Sequence, residues 1–238
     1  LRPKTNVIDP DFFPFFISSD YFLDNAIRIS VGSLSPTINW GDLKKLEFDL
    51  PSLQEQSKIA KILWSINNTI ESYKDLLSKT KELEKSKFDK FLEETEGIRK
   101  IKIKDIGKYL PKSKMDASLG KAIGEFPFFT SSMDTVKWCD EYQYDDECII
   151  MGNGGTASIK YYVGKFSTTT HGIVIKANRD DVMLQYVYEY LFNNIDILEH
   201  GFRGVGLKNI PKQYIDNIEI PIPSMDEQEK IVNMMTNF

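Results

Sequence analysis

The stretch LPSLQEQSKI at positions 50–59 occurs a second time as IPSMDEQEKI at positions 222–231. The second copy lies 172 positions after the first without a gap, and the same spacing pairs Gly32 with Gly204. A register that is kept over so long a span indicates an internal duplication. The sequence therefore predicts two related structural units.

Each copy of the duplicated stretch combines the end of a strand with the start of a helix. The apolar residues 46–50 and 218–222 predict strands, and the proline that follows each of them cannot continue a β-ladder. Ser52 and Glu55 then have the spacing of a capping box, in which serine and glutamate side chains satisfy free amides at a helix start. The second copy keeps this spacing, so helix initiation explains the Glu-Gln pairs without a catalytic role.

The first copy opens a long helix, which is predicted over residues 51–96. Its apolar residues recur at alternating steps of four and three, which is typical of a coiled-coil seam. The seam residues are Ile59, Leu63, Ile66, Ile70, Tyr73 and Leu77. Because a lone helix would leave this seam in water, we expect a second helix to cover it, for example that of a second copy in a homodimer.

Residues 97–222 predict one complete domain of the α/β (α+β-like) class, with short strands and a helix over residues 181–193. The expected strands are 101–106, 126–130, 148–151, 158–163 and 173–176, with a closing strand pair within 210–222. Residues 1–50, with a helix predicted over 9–18, match only the second half of this segment. Residues 223–238 are predicted to start a second long helix.

The bulk composition places few limits on function. The 238 residues carry a formal net charge of −5, yet residues 99–121 hold eight lysines and arginines against two aspartates. No apolar run approaches the roughly 20 residues of a membrane helix and no export signal is visible, so a cytoplasmic protein without a membrane partner is expected. Cys139 and Cys148 match no metal or redox spacing, and His171 and His200 stand apart, so no metal site is predicted.

Several stretches of the sequence resemble the DNA-specificity (S) subunits of type I restriction–modification systems. They are LPSLQEQSKIAKIL at 50–63 with its echo at 222–235, EFPFFTSS at 125–132, IIMGNGG at 149–155 and GVGLKNIP at 204–211. The resemblance implies that residues 1–50 form the C-terminal part of a first target-recognition domain. It also implies that 51–96 form the conserved spacer helix, 97–222 a complete second recognition domain and 223–238 the start of the distal helix.

The resemblance further implies a non-catalytic DNA reader. In that family each recognition domain reads half of a split target in double-stranded DNA through the major groove, and the two long helices form an antiparallel coiled coil. Methyltransferase (M) subunits and a motor-nuclease (R) subunit dock on the S subunit. S-adenosylmethionine, ATP and Mg²⁺ are accordingly expected on those partners, and no cofactor is expected on this chain.

A base-reading surface needs hydrogen-bonding side chains on loops that rigid strands hold in place. Three polar loops and two basic segments within residues 97–222 offer such groups, although Ser, Thr and Gly also serve ordinary turns. The candidate DNA-contacting residues are Lys112, Lys114, Ser131, Ser132, Asn153, Thr156, Ser158, Lys160, Thr168, Thr169, Thr170, His171, Arg203 and Lys208.

Two other classes of protein stay open on the residues alone. A DNA methyltransferase would need a glycine-rich cofactor loop and an Asn/Asp-Pro-Pro-aromatic motif, and the sequence contains neither. Residues 152–155 resemble a phosphate-binding loop, but no Gly-Lys-Ser/Thr follows them. The carboxylates and lysine of residues 227–230 resemble a nuclease motif, but the capping box explains the same residues. A coiled-coil scaffold that does not bind DNA would explain the helix but not the polar loops.

Overall fold

Both copies of the duplicated stretch start a helix, as their capping boxes predict. In the first copy the Ser52 backbone N–H donates to Glu55 Oε2 at 2.9 Å, and the Glu55 N–H donates to Ser52 Oγ at 3.3 Å. The Ser52 hydroxyl, which donates to Glu55 Oε2 at 2.7 Å, and secondly the Ser52 N–H hold the pKa of the Glu55 carboxyl below its ordinary value. In the second copy the Glu227 N–H donates to Ser224 Oγ at 3.4 Å.

The structure is a computed structural model that describes residues 1–32, 35–133, 136–206 and 208–236. The chain divides into two units, residues 1–80 and residues 81–238. The first unit contains helices α1 (Phe13–Ile17), α2 (Asp20–Arg28), α3 (Trp40–Leu43) and the first part of α4 (Leu53–Glu94). The division therefore falls within the long helix, which was predicted over residues 51–96.

The first unit has less strand structure than the sequence predicts. No strand is assigned to residues 46–50, and the helix predicted over 9–18 shortens to α1, with Pro14 in its first turn. The physical reason is the lack of a pairing partner, because a strand needs a neighbour for its ladder. In the second unit the equivalent residues 219–222 do find one.

Aromatic side chains hold the first unit together. Phe16 packs edge-on against Phe48 with ring centroids 5.1 Å apart, and Phe15 packs against Trp64 of α4 at 5.0 Å. The indole Nε1–H of Trp64 donates to the Asp11 carbonyl oxygen at 3.0 Å. These contacts cover only the first turns of α4.

The second unit contains the end of α4 and most of the strands. Its elements are β1 (Arg99–Lys102), α5 (Ile103–Ile106), β2 (Gly107–Tyr109), β3 (Phe126–Phe129), β4 (Val136–Cys139), β5 (Tyr144–Gly152), β6 (Ile159–Thr168), β7 (Gly172–Ala177), α6 (Leu184–Asn193), α7 (Asp196–Glu199), α8 (Lys212–Asp216), β8 (Glu219–Ile222) and α9 (Met225–Thr236). Within the described residues, the main sheet has the order β2-β7-β5-β6-β3-β4, and β1 pairs separately with β8. The expected mixed α/β fold with a long helix is confirmed.

Some strand predictions in the second unit are wrong. The strand predicted over 101–106 ends at Lys102, and Ile103 and Ile106 belong to a helical turn. Both side chains are buried, and a separation of three residues puts them on the same face of a helical turn, whereas a strand would point them to opposite faces. The strand pair expected within 210–222 is α8 followed by β8, and the exposed edge strand β4 was not predicted.

The main sheet is covered on both faces. Ile149 and Met151 of β5 face a large core that includes Tyr186 of α6 and Phe88 of α4. Cys148 and Ile150 face a second core with Phe129 and Phe166. This two-sided burial explains why β5 carries an uninterrupted apolar run, since strands buried on both faces lose the polar alternation.

Each copy of the duplicated stretch also buries a glutamine that ties its helix to the unit. Gln56 Nε2 donates to the carbonyl oxygens of Val7 at 3.2 Å and Pro51 at 2.8 Å, and its Oε1 accepts the Asp9 N–H at 2.8 Å. We call this arrangement the glutamine clamp. In this clamp both N–H groups of the side-chain amide donate to backbone carbonyl oxygens, and its oxygen accepts a backbone N–H.

Gln228 repeats the clamp in the second unit. Its Nε2 donates to the carbonyl oxygens of Asp181 at 3.1 Å and Pro223 at 3.0 Å, and its Oε1 accepts the Met183 N–H at 2.8 Å. Gln56 and Gln228 are 1% and 0% exposed. Sequence reasoning assigned this Glu-Gln pair to helix initiation alone and missed the role of the glutamine.

One buried carboxyl group gives the second unit a pH-dependent stability. Burial of Glu189 on α6, and secondly the neighbouring Glu84 carboxylate, raise the pKa of Glu189 to about 7. Because the folded state then holds this proton more tightly than the unfolded chain, its stabilising contribution is complete below about pH 4.3 and is lost as pH rises towards 7. Glu189→Gln should therefore stabilise the protein at pH 8, by roughly 1–3 kcal/mol, and change little at pH 4. Thermal denaturation at both pH values tests this, and equal shifts in Tm at the two would contradict it.

Candidate nucleic-acid interface

The polar loops of the second unit converge at one end of the main sheet. A Cβ atom on Gly152 would lie 2.5 Å from Ser158 Oγ and 3.0 Å from Ser131. Gly152 pairs with Gly172 across β5 and β7, and a Cβ on Gly172 would lie 2.1 Å from Thr168 Oγ1. Only glycine fits at these two positions, and the ends of β3, β5, β6 and β7 meet as a result.

The loop after β5 is joined to the basic segment 203–210. The Gly155 N–H donates to the Lys208 carbonyl oxygen at 3.0 Å, and the Ile210 N–H donates to the Asn153 carbonyl oxygen at 3.1 Å. Arg203 and Asn209, both exposed, exchange two backbone hydrogen bonds of 2.9 Å. The structure thus brings the predicted residues Asn153, Arg203 and Lys208 together.

Asn153 and His171 are linked twice. The Asn153 backbone N–H donates to the His171 carbonyl oxygen at 2.9 Å, and the side-chain atoms Asn153 Oδ1 and His171 Nδ1 are 3.1 Å apart. The His171 side chain is exposed and Asn153 is half-buried. Thr156 and Thr170 lie on the same two loops and also reach the surface.

Lys160 supports the neighbouring serine turn. Its Nζ donates to the carbonyl oxygens of Thr130 at 3.3 Å and Ser132 at 2.5 Å. These bonds position the half-buried Ser131 and the exposed Ser132 at the end of β3. Lys160 therefore shapes the surface that it was predicted to contribute to directly.

Three of the predicted DNA-contacting side chains are buried, which corrects the expectation for them. Ser158, Thr168 and Thr169 are 1%, 0% and 2% exposed. Thr168 Oγ1 donates to the Phe129 carbonyl oxygen at 2.8 Å, and Thr169 Oγ1 accepts the His171 N–H at 3.3 Å. Short hydroxyl side chains commonly form hydrogen bonds with nearby backbone groups in this way. Thr168 and Thr169 therefore stabilise the loops and do not reach the surface. Ser158 Oγ is buried without a hydrogen-bond partner in the described chain.

The segment that carries Lys112 and Lys114 lies beside the same loops. The Thr170 N–H donates to the Met115 carbonyl oxygen at 3.0 Å. Lys112 and Asn153 also line one side of a cavity of about 320 Å³. Both lysines are exposed, and neither takes part in an ion pair among the described residues, whereas Arg99 and Lys121 of the same basic stretch pair with Asp181 and Asp140.

The predicted helix seam is solvent-exposed. Ile59, Ile66, Ile70, Tyr73 and Leu77 are between 37% and 68% exposed, and Leu63 is half-buried. Exposed apolar side chains at this spacing are typical of helices that pack against another helix.

The remaining reactive groups offer little chemistry. Among the described residues, no group of three or more His, Cys, Asp or Glu side chains is arranged to hold a metal ion. Both cysteines are buried and reduced, and burial raises the pKa of the Cys148 thiol to about 12, so this thiol is a poor nucleophile. Every helix within the described residues is too short or too polar to cross a bilayer.

Comparison with known proteins identifies relatives of this chain. A protein-family model described as Type I restriction modification DNA specificity domain matches residues 1–82 and 95–238. Each matched segment contains one copy of the duplicated stretch. The Type I restriction enzyme EcoDI specificity subunit of Escherichia coli is 29% identical over 126 residues, which are 53% of this chain and 28% of that protein.

A curated relative and a solved structure each match almost the whole chain. A Methanocaldococcus jannaschii protein, whose name assigns it to the specificity subunit of type I restriction enzyme MjaX, is 26% identical over 99% of this chain and 62% of its own length. The crystal structure of a type I restriction-modification system S subunit from M. genitalium shares the fold, with a TM-score of 0.58 and 17% identity, over 98% of this chain and 67% of that one. The chain thus spans 28% of the Escherichia coli protein and 62% of the Methanocaldococcus jannaschii protein, which is less than two thirds of each.

Proposed function

Because this chain belongs to the family of type I restriction modification DNA specificity domains, we propose that it reads one half of a two-part target in double-stranded DNA. The observation that carries the proposal is the surface formed by the converging loops of the second unit. We call this surface the loop face. Its exposed or half-exposed predicted residues are Lys112, Lys114, Ser131, Ser132, Asn153, Thr156, Lys160, Thr170, His171, Arg203 and Lys208.

The loop face combines two kinds of DNA contact. The half-buried Asn153 and the exposed His171 are fixed by backbone bonds, as base reading requires. Lys112 and Lys114 are exposed and outside the ion pairs of the described chain, so their charge is available to phosphates. The lysines would position the duplex and the loops would read it.

In this proposal other subunits carry out the methylation and cleavage of DNA. The specificity domain directs methyltransferase (M) and motor-nuclease (R) subunits to their target, and S-adenosylmethionine, ATP and Mg²⁺ bind to those subunits. The exposed seam of α4 suits a second role, in which it packs against another helix. We infer that in the purified protein the second helix comes from another copy of this chain.

The two kinds of contact can be separated by their salt dependence. Replacing Lys112 and Lys114 together with alanine should weaken binding to all duplexes alike. It should also reduce the slope of log affinity against log salt by roughly one unit for each lost phosphate contact. Competition binding at two salt concentrations measures both quantities.

A matched control removes the same charge elsewhere. Lys74 and Lys79 on α4 are paired with Glu71 and Asp75 in solvent-exposed ion pairs. Their double alanine variant should keep the wild-type slope, since exposed pairs of this kind contribute little. A selective loss on one sequence in the Lys112/Lys114 variant, with an unchanged slope, would show that these lysines do not hold phosphates.

A further inference from the structure

We propose that Asn153 and His171 together form one reader of an adenine in the major groove, with each side chain making one of two hydrogen bonds to the base. This inference rests on the proposed DNA-reading function of the loop face. It assigns a base to a pair of residues and a separate atom of that base to each of them.

The pair is rigid because it is held at two points. The 2.9 Å backbone bond joins the loop after β5 to the residue before β7, and the 3.1 Å side-chain contact orients the two polar groups against each other. A second backbone bond fixes the Asn153 carbonyl oxygen to the Ile210 N–H at 3.1 Å. Gly154 lies next to the pair, and a Cβ atom there would be in van der Waals contact with His171 Nδ1 at 3.6 Å.

The side-chain contact dictates what the pair offers to a ligand. Asn153 Oδ1 can only accept a hydrogen bond, so the facing His171 Nδ1 carries the proton of the neutral imidazole. Two groups are then left for a ligand, the Asn153 Nδ2 amide as a donor and the His171 Nε2 atom as an acceptor. If the amide is turned over, Nδ2 donates to Nδ1, and the pair offers Oδ1 as acceptor and Nε2–H as donor. In both arrangements the two side chains together offer an acceptor and at least one donor, because the Asn153 amide nitrogen carries two N–H groups.

Adenine is the base that matches one donor and one acceptor. Its major-groove edge carries the N7 acceptor beside the N6 amino donor, whereas guanine presents two acceptors, cytosine a donor, and thymine an acceptor beside a methyl group. With one side chain donating and the other accepting, the pair can satisfy both groups of adenine, whereas the two acceptors of guanine would leave the acceptor of the pair without a partner. The nearby cations Lys112 and Lys208 are suited to hold the flanking phosphates.

The experiment uses the full chain and synthetic duplexes at about pH 8, where an ordinary imidazole is neutral. Selection from a random duplex library first gives the preferred sequence. Each adenine of that sequence is then replaced either by 7-deazaadenine, which lacks the N7 acceptor, or by purine, which lacks the N6 amino group. For one adenine the wild-type protein should lose about 5- to 30-fold in affinity with each analogue.

Two variants connect each base atom to one side chain. Asn153→Leu should be insensitive to one analogue at that adenine and remain sensitive to the other, and His171→Phe should show the opposite pattern. Both substitutions keep the backbone bonds of the pair. Thr156→Val, an exposed residue on the same loop, serves as the control and should respond to both analogues as the wild type does.

The outcomes separate this inference from the proposed function. If the library yields no preferred sequence, DNA reading itself is wrong for this chain. If a sequence is selected but no adenine in it responds to both analogues, or the two variants keep the full wild-type response, DNA reading stands and the adenine reader is refuted. If one variant binds too weakly to measure, the other variant still decides, because it should lose its response to only one of the two analogues at that adenine.

Discussion

Replacing Gln228 with leucine is expected to lower the free energy of unfolding by about 3–5 kcal/mol, because it leaves three backbone groups without partners. The Gln228 side chain bonds the Asp181 and Pro223 carbonyl oxygens and the Met183 N–H, and it is 0% exposed. Leucine has a similar volume, so the effect reports lost hydrogen bonds and not a cavity. Urea denaturation followed by circular dichroism gives the value.

Gln56 in the first copy provides a parallel test, and the exposed Gln213 provides a control. Gln56→Leu should destabilise the first unit for the same reason, since Gln56 makes the same three kinds of bond. Gln213→Leu, an exposed position on α8, should change stability by less than about 0.5 kcal/mol. If Gln228→Leu also stays within that range, the glutamine clamp does not stabilise the helix start.

Ile66→Asp is expected to separate a dimer formed through α4 into monomers, and to weaken self-association at least about 100-fold. The seam position is 52% exposed in the single chain and would be buried between two helices. A carboxylate placed there is desolvated without a partner, which costs several kcal/mol. Sedimentation velocity at tens of micromolar protein measures the change.

Asn68→Asp is the matched control for the seam. Asn68 is exposed and lies two residues from both Ile66 and Ile70, on the opposite side of α4 from the seam. It gains the same negative charge with almost no change in shape and should leave the dimer intact. A wild-type protein that sediments as a monomer at these concentrations would contradict self-association through the seam.

Features encoded by neighbouring residues could be predicted from the sequence. The duplication, the capping box of Ser52 and Glu55, the long helix and the two-sided burial of β5 all depend on local spacing. The strand predicted at 46–50 failed because a ladder depends on a distant partner, which residues 219–222 find in β1. The strand predicted at 101–106 failed because Ile103 and Ile106 satisfy a helical turn equally well.

The loop face was predictable as a set of loops but not residue by residue. Composition identified the polar segments, and the glycines at 152 and 172 bring them together. Which hydroxyl points outward depends on contacts between loops, and for this reason Ser158, Thr168 and Thr169 were misassigned. The glutamine clamp was also invisible, because its carbonyl partners Val7 and Asp181 lie 49 and 47 residues away in sequence.

Whether this chain reads DNA sequence can be decided by selecting the purified chain against a random library of DNA duplexes. We expect enrichment of one short sequence, and of two copies of it at a fixed spacing if two chains bind together through α4. Reversing the charge of Lys112 and Lys114 should then lower the yield without changing the enriched sequence. Binding that falls with salt but enriches no sequence, or no binding at all, would contradict the assignment of this chain as a DNA reader.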